Sequence, residues 1–220
     1  MSDLLLMKLV HVLCLAYWLG ADLGVFYSSY FVANDKLSPE TRGVTAKILF
    51  VLDQGPRICM TMMLPSGIHL AWRMRLFEFD GSVMALIWLA AFAWLAMVVT
   101  LHLARPSPAK TFLTRFDFWF RLTLATALVV LGATGLLTTE LGMPHWLAWK
   151  VLIFGGLVAC GLVIRIKLRP FGPAFAQVVA GKAADVDNNV IRSSLSGTRP
   201  FVLAIWAGII ASSAFGLHLI

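Results

Sequence analysis

The sequence predicts an all-α membrane protein, a polytopic bundle of about six transmembrane helices. Of its 220 residues, 60% are hydrophobic and only 13% are charged, and the mean hydropathy is +0.84. A soluble domain of this size does not have such a composition. Several apolar runs match the roughly 20 residues that a helix needs to cross about 30 Å of hydrocarbon. None shows the alternation of membrane β-barrel strands, so the spanning elements are expected to be helices.

Six segments are predicted as spanning helices. The first lacks a basic n-region and stays apolar beyond the length of a signal peptide, so we expect it to be retained. The predicted helices cover residues 4–30, 46–72, 83–104, 116–138, 146–168 and 199–219. Together they form a single domain over residues 1–220, with a cytoplasmic loop at about 170–198 that has room for a short surface helix.

The basic residues, which give the chain its net charge of +7, are distributed unevenly over this topology. Twelve follow the first, third and fifth helices, whereas only Lys8, Arg73 and Arg75 lie on the opposite side. Lys and Arg are enriched in cytoplasmic loops, so we expect a bacterial inner-membrane protein with both termini periplasmic. The same distribution argues against nucleic-acid binding and makes the lipid bilayer the predicted partner.

Four of the five histidines are predicted to lie toward the periplasmic side. His11 lies roughly 10 Å below the outer end of the first helix, at 1.5 Å per residue. His69, His145 and His218 lie at or beside the outer ends of later helices, and His102 is near the cytoplasmic end. Ionisable side chains are costly in a membrane and usually functional. Neutral imidazoles from different helices suit a cofactor iron, and haem b is the economical choice.

One stripe of the first helix carries polar and aromatic side chains. Its members recur every three or four residues, the repeat of one helix face, and are Lys8, His11, Leu15, Trp18 and Asp22. We expect this stripe to face protein, with Trp18 as a candidate cofactor-binding residue. For His11, iron ligation and a structural hydrogen bond are both open.

Two pairs of opposite charges lie within predicted helices. Asp53 and Arg57 are four residues apart, as are Asp117 and Arg121, and this spacing lets the partners pair and lowers the cost of burying both. The pairs are predicted to close the cytoplasmic side of the bundle, and Arg57 is also a candidate cofactor-binding residue.

Soft metal ligands recur along the second predicted helix. Cys59, Met62 and His69 lie on one stripe suited to Cu(I). Met62 and His69 are about 10 Å apart along a helix axis, so a shared metal requires a break at Pro65 or Gly67. The alternative is that the methionines fill a helix interface.

Three stretches resemble the HemJ-type protoporphyrinogen oxidases and their CopD-like relatives. KLVHVLCLAYWLGADLGVFY (8–27) is similar to the first helix of that family, with a Lys, a His three residues on and a Trp-containing apolar run. LATALVVLGATGLL followed by HWLAWKVLIF resembles its second helix and the start of its third, where a functional Lys matches Lys150. RPFVLAIWAGII (199–210) resembles its last helix. With its two extra helices, the longer chain looks closer to CopD-like or DUF2269-like membrane proteins.

The resemblance implies that His11 ligates haem b and that Lys150 is a second ligand or a catalytic acid/base group. His69 has no counterpart in the shorter family and is a further candidate ligand. The implied function is electron transfer between a membrane or periplasmic donor and an acceptor, with a quinone or a redox protein as partner and homo-oligomerisation open. Activity as a HemJ-like haem-dependent oxidoreductase is left open. The alternatives are a CopD-like copper permease and a haem-bearing anchor subunit of a redox complex.

Overall fold

The computed structural model describes residues 2–138 and 140–217, and within these ranges it contains helices and no β-strand. The helices are α1 (Ser2–Ala33), α2 (Pro39–Leu52), α3 (Gln54–Arg73), α4 (Gly81–Leu103), α5 (Pro108–Leu137), α6 (His145–Lys167), α7 (Phe171–Val179) and α8 (Asp185–Gly216). The predicted all-α fold class is confirmed. The predicted end of the last helix, with His218, lies outside the described residues.

Five of the described helices, α1, α4, α5, α6 and α8, are long and apolar enough to cross a membrane. They match five of the six predicted spans, so the prediction of a membrane-embedded helical protein is confirmed at this level. The orientation of the termini and the kind of membrane stay predictions.

The remaining predicted span, residues 46–72, is two helices rather than one, so its predicted boundaries were wrong. α2 ends and α3 begins on either side of Asp53. Pro56 explains the position of the break, because it has no backbone N–H to donate to the carbonyl of Leu52, four residues earlier. α3 then continues without interruption through Pro65. A copper ion shared by Met62 and His69 would require a break there, and α3 has none.

The segment predicted as a loop at about 170–198 is mostly helical. It contains α7 and the beginning of α8. α7 lies in the predicted place of the short surface helix and exposes one face, while Phe171, Ala174, Phe175 and Val178 are buried. Their spacing of three, one and three residues places them on one helix face, which the sequence shows only as a short apolar run.

The chain divides into two compact units. The first unit contains the described residues of 1–21 and 53–120, and the second those of 22–52 and 121–220. In the first unit, α3 packs against α4. The N-terminal part of α1, up to Ala21, belongs to the same unit. In the second unit, α8 packs along α6 and against α7.

Helices of the second unit approach closely at glycines. A Cβ added to Gly132 of α5 would lie 2.5 Å from the backbone nitrogen of Leu152 in α6. A Cβ added to Gly208 of α8 would lie 2.7 Å from Cδ2 of Leu157 in α6. Small residues allow such backbone approach in membrane bundles, where packing takes the place of the hydrophobic effect.

A buried cluster, here called the end cluster, joins the end of α1 to α2, α7 and the start of α8. Its members are Val32, Ala46, Leu49, Phe171, Ala174, Phe175, Val178, Ile191 and Leu195. Arg42 lies beside it and is only 3% exposed. Its Nε donates to the carbonyl of Val32 at 3.0 Å and its Nη1 to Oδ1 of Asn188 at 2.9 Å. The guanidinium thus satisfies a carbonyl in the last turn of α1 that has no helical partner.

Candidate functional site

His11 of α1 is held by Ser66 of α3 within the first unit. Nδ1 of the imidazole lies 2.9 Å from Oγ of Ser66, which is completely buried. The neighbouring Gly67 leaves room for the ring, because a Cβ at that position would lie 3.3 Å from Cε1 of His11. The imidazole predicted from the sequence therefore has a defined position between two helices.

The bonds of Ser66 determine which nitrogen of His11 carries the proton. Oγ of Ser66 lies 2.7 Å from the carbonyl oxygen of Met62 and 3.0 Å from that of Met63. Carbonyls only accept, so the single hydroxyl proton of Ser66 points to them. Oγ must then accept from His11, which places the imidazole proton on Nδ1 and the lone pair on Nε2.

His69 of α3 has the opposite hydrogen-bond polarity. Nε1 of Trp88 in α4 donates to Nδ1 of His69 at 3.1 Å, and an indole N–H can only donate. The neutral imidazole therefore carries its proton on Nε2. That nitrogen is buried and has no hydrogen-bond partner among the residues that the structure describes. The rings of Trp72 and Trp88 pack edge to face against the imidazole ring of His69, at centroid distances of 5.5 and 6.3 Å.

The two imidazoles suit different chemistry. A histidine that ligates a metal usually donates its second ring N–H to an acceptor, which fixes the tautomer and strengthens the ligating nitrogen. His11 has this arrangement, with Ser66 as the acceptor. In His69, Nδ1 instead accepts a hydrogen bond from Trp88. The proton of the imidazole is therefore on Nε2, which can donate a hydrogen bond but cannot ligate a metal in this tautomer. Iron ligation by His69 stays a prediction and requires the loss of its bond to Trp88.

The other predicted residues of the first unit are placed as follows. Trp18 is buried in α1, with 3% of its surface exposed, two helical turns from His11 and on the same helix face. Arg57 donates from Nε to Oδ2 of Asp53 at 2.7 Å, which confirms the predicted pair. The cofactor-binding roles of Trp18 and Arg57 stay predictions.

Lys150, in the second unit, lies near the end of α8. Its Nζ is 5.9 Å from the ring centroid of Trp146 and would be 2.7 Å from a Cβ added to Gly216. Gly216 ends α8, where backbone carbonyls lack helical partners and the partial charge is negative. Lys150 is thus placed to neutralise this helix end, and its predicted ligand or acid/base role stays a prediction.

The predicted histidine cluster is distributed over both units. His11 and His69 belong to the first unit and His145 to the second, while His218 lies outside the described residues. Within residues 2–138 and 140–217, there is no group of three or more His, Cys, Asp or Glu side chains that could hold a metal ion. A haem differs from such a site, because the porphyrin supplies four nitrogens and the protein only one or two axial ligands.

Cys14 of α1 is a half-buried free thiol, and Cys59 of α3 is a buried one.

No family model, curated protein or solved structure matches the chain. The resemblance to the HemJ-type and CopD-like proteins therefore stays an expectation.

Proposed function

We propose that the protein is an integral membrane redox protein that binds a b-type haem through Nε2 of His11 and passes electrons between a membrane or periplasmic donor and an acceptor. The observation that carries the proposal is the hydrogen bond from Nδ1 of His11 to Ser66, because it leaves the lone pair on the nitrogen that would ligate iron. The bound iron would supply one-electron chemistry between its ferric and ferrous forms.

The residues of the chain have separate parts in this function. Ser66 orients the imidazole, and its own hydroxyl is fixed by the carbonyls of α3. Gly67 keeps space beside the ring. His11 lies within the apolar span Asp3–Ala33, and dryness around the iron is one of the ways in which a protein sets a haem potential. The charge of Arg57 is already paired with Asp53, so the proposed haem site does not depend on it.

Copper transport is the less favoured function. A permease needs successive soft ligands, and the sequence offers them mainly on α3. Because α3 is continuous, Met62 and His69 are separated by about 10 Å along its axis and cannot share one ion. No second function is therefore proposed.

The test is the optical spectrum of the full chain purified in detergent, oxidised and dithionite-reduced, with metal analysis of the same sample. We expect a b-type alpha band in the reduced protein and about one iron per chain, since one axial histidine is proposed. His11→Ala should lose both. His102→Ala is the matched control, because His102 lies in the last turn of α4 and has no proposed ligand role, and it should keep them.

Two outcomes would contradict the proposal. A protein without a Soret band but with stoichiometric copper would favour the permease instead. A haem spectrum that is unchanged in His11→Ala would show that the ligand is another residue.

A further inference from the structure

A basic side chain lies at the contact between α1 and α8 in the second unit. The guanidinium carbon Cζ of Arg199 is 3.7 Å from the ring centroid of Tyr30, which is the geometry of a cation–π interaction. Further along the same two helices, the ring centroids of Phe26 and Trp206 are 5.2 Å apart. Tyr30 and Phe26 share one face of α1, and Arg199 and Trp206 share one face of α8. The two contacts therefore hold Arg199 in a fixed place on α1.

The charge of Arg199 has no counterion within the chain as described. Among the described residues, Arg57, Arg73 and Arg192 each pair with an aspartate, but no carboxylate pairs with Arg199. Its Nε is enclosed and has no hydrogen-bond partner among those residues. The two Nη groups are not enclosed in this way, so a ligand can reach them. The planar fork of a guanidinium matches the oxygens of phosphate and carboxylate groups, so an anion is the expected ligand.

The position of Arg199 along α8 corresponds to the surface of the membrane. It is the last charged residue of the helix, and residues 200–216 carry no charge. A long Arg side chain at such a boundary keeps its stem in the apolar region and its head among the lipid headgroups. The distribution of basic residues predicts that this end of α8 is cytoplasmic, and anionic lipids give the cytoplasmic leaflet its negative surface. Lipid phosphate is therefore the anion available at this level.

An exposed apolar stripe continues from Arg199 along the same face of α8. Leu203 is 49% exposed and Ile210 is 61% exposed, and they lie four and eleven residues beyond Arg199, close to whole numbers of helical turns. At 1.5 Å per residue, the distance from Arg199 to Ile210 is about 16 Å, which is about half of the 30 Å of hydrocarbon. A charged end followed by an apolar stripe one leaflet long matches the headgroup and acyl chain of one phospholipid.

We propose that Arg199, stacked on Tyr30, binds the phosphate of an anionic phospholipid whose acyl chain lies along Leu203 and Ile210. The phosphate balances the charge of Arg199 and accepts hydrogen bonds from its Nη groups. A zwitterionic phospholipid is a poorer ligand, because its own cationic group competes with Arg199 for the phosphate. This lipid site does not depend on the function proposed above, since a chain without haem would keep it.

The test is a lipid titration of the delipidated full chain in detergent, with the bound lipids counted by native mass spectrometry. The ligands are phosphatidylglycerol and, in a separate titration, phosphatidylcholine with the same acyl chains. We expect the first phosphatidylglycerol to bind roughly tenfold more tightly, the order of the contribution of one charge-assisted hydrogen bond. Inorganic phosphate should not displace it, because the acyl chain contributes to binding. Equal affinity for the two lipids, or displacement by inorganic phosphate, would overturn the proposal.

Three variants separate a defined site from general attraction by positive charge. Arg199→Gln should lower the affinity for phosphatidylglycerol to that for phosphatidylcholine, and Tyr30→Leu should lower it several-fold because the guanidinium loses its support. Lys167→Gln is the matched control and should bind as the wild type does. Nζ of Lys167 also lies over a ring, 5.7 Å from the centroid of Phe201, but Phe201 is two residues from Arg199 and does not share its helix face.

Circular dichroism melting in detergent establishes which variants are folded. If Arg199→Gln does not fold, Tyr30→Leu decides, and an unchanged affinity in that variant would overturn the proposal. Equal losses in Arg199→Gln and Lys167→Gln would also overturn it, because they would show attraction by net charge without a site.

Discussion

The direction of one hydrogen bond distinguishes the two imidazoles of the first unit. His11 donates from Nδ1 to a serine whose proton is already engaged, whereas His69 accepts at Nδ1 from Trp88. The sequence predicts both as candidate ligands for the same reason, because each is a histidine at membrane depth. Their partners give them opposite chemistry, because Nε2 carries a lone pair in His11 and a proton in His69.

Replacing Ser66 with alanine should weaken the proposed haem site. Ser66→Ala removes the acceptor of the Nδ1 proton of His11, and loss of such a partner lowers metal affinity by roughly 10–100-fold. The less basic imidazole should also raise the reduction potential of the iron. Haem titration and redox potentiometry measure the two effects.

Ser213→Ala is the control for this substitution. The hydroxyl of Ser213 also donates to a carbonyl of its own helix, that of Ile209 at 2.9 Å, but in the second unit. Unchanged haem affinity in Ser66→Ala, or an equal loss in Ser213→Ala, would contradict the role assigned to Ser66.

Replacing Trp88 with phenylalanine should alter the tautomer of His69. In the wild type, the nitrogen chemical shifts of His69 should show the proton on Nε2. Trp88→Phe removes the donor to Nδ1, so both tautomers should appear, and stability should fall by about 0.5–1.5 kcal/mol, the net contribution of one hydrogen bond. Trp119→Phe is the control, because Trp119 is 64% exposed. A wild-type His69 with its proton on Nδ1 would exclude the bond.

The residues of the site differ in how far the sequence predicts them. His11, and the pair of Asp53 with Arg57, follow from the cost of polar groups in a membrane and from the helical repeat. Ser66 does not, because it is 55 residues from His11 in the chain and its position depends on how α1 and α3 are aligned.

At the scale of elements, hydropathy locates the spans but not their ends. The most apolar stretches matched α4 and α6 within a few residues. α5 and α8 begin earlier than predicted because their first turns are polar, and a hydropathy window cannot distinguish a polar helix from a loop. The break before α3 also follows from local chemistry, since Pro56 removes one backbone donor.

Two adjacent glycines of α6 should respond differently to the same substitution. A Cβ at Gly155 would lie 2.9 Å from the backbone nitrogen of Val129 and 3.0 Å from the carbonyl oxygen of Ala125. Gly155→Ala should therefore destabilise the protein by about 1–3 kcal/mol, as overpacking does. Thermal unfolding in detergent, followed by circular dichroism, measures the change.

Gly156→Ala is the matched control, because a Cβ at Gly156 would meet no atom of the described residues within 4 Å. Alanine also favours a helix over glycine, so this variant should unfold at the wild-type temperature or above it. Equal destabilisation by the two substitutions would show that α5 and α6 do not approach at Gly155.

At the scale of the whole molecule, the distribution of basic residues predicts the orientation in the membrane. Cysteines introduced as Glu78→Cys, between α3 and α4, and Ala183→Cys, between α7 and α8, would lie on opposite sides. A membrane-impermeant maleimide added to intact bacterial cells should label Glu78→Cys, and should label Ala183→Cys only after permeabilisation. The wild-type chain is the background control. The reverse pattern would contradict the predicted orientation.

The length of α1 and α8 has a practical consequence. Each has 32 residues and is therefore about 48 Å long, whereas the hydrocarbon is about 30 Å thick. Each helix is therefore longer than the hydrocarbon is thick. The extra length includes the end of α1 and the start of α8, which pack with α2 and α7 in the end cluster. A chain of 24.2 kDa inside a micelle offers little for particle alignment in electron cryomicroscopy. The exposed turn at 180–184 connects two helices of this cluster, so a soluble domain grafted there through continuous helices would serve as a rigid fiducial.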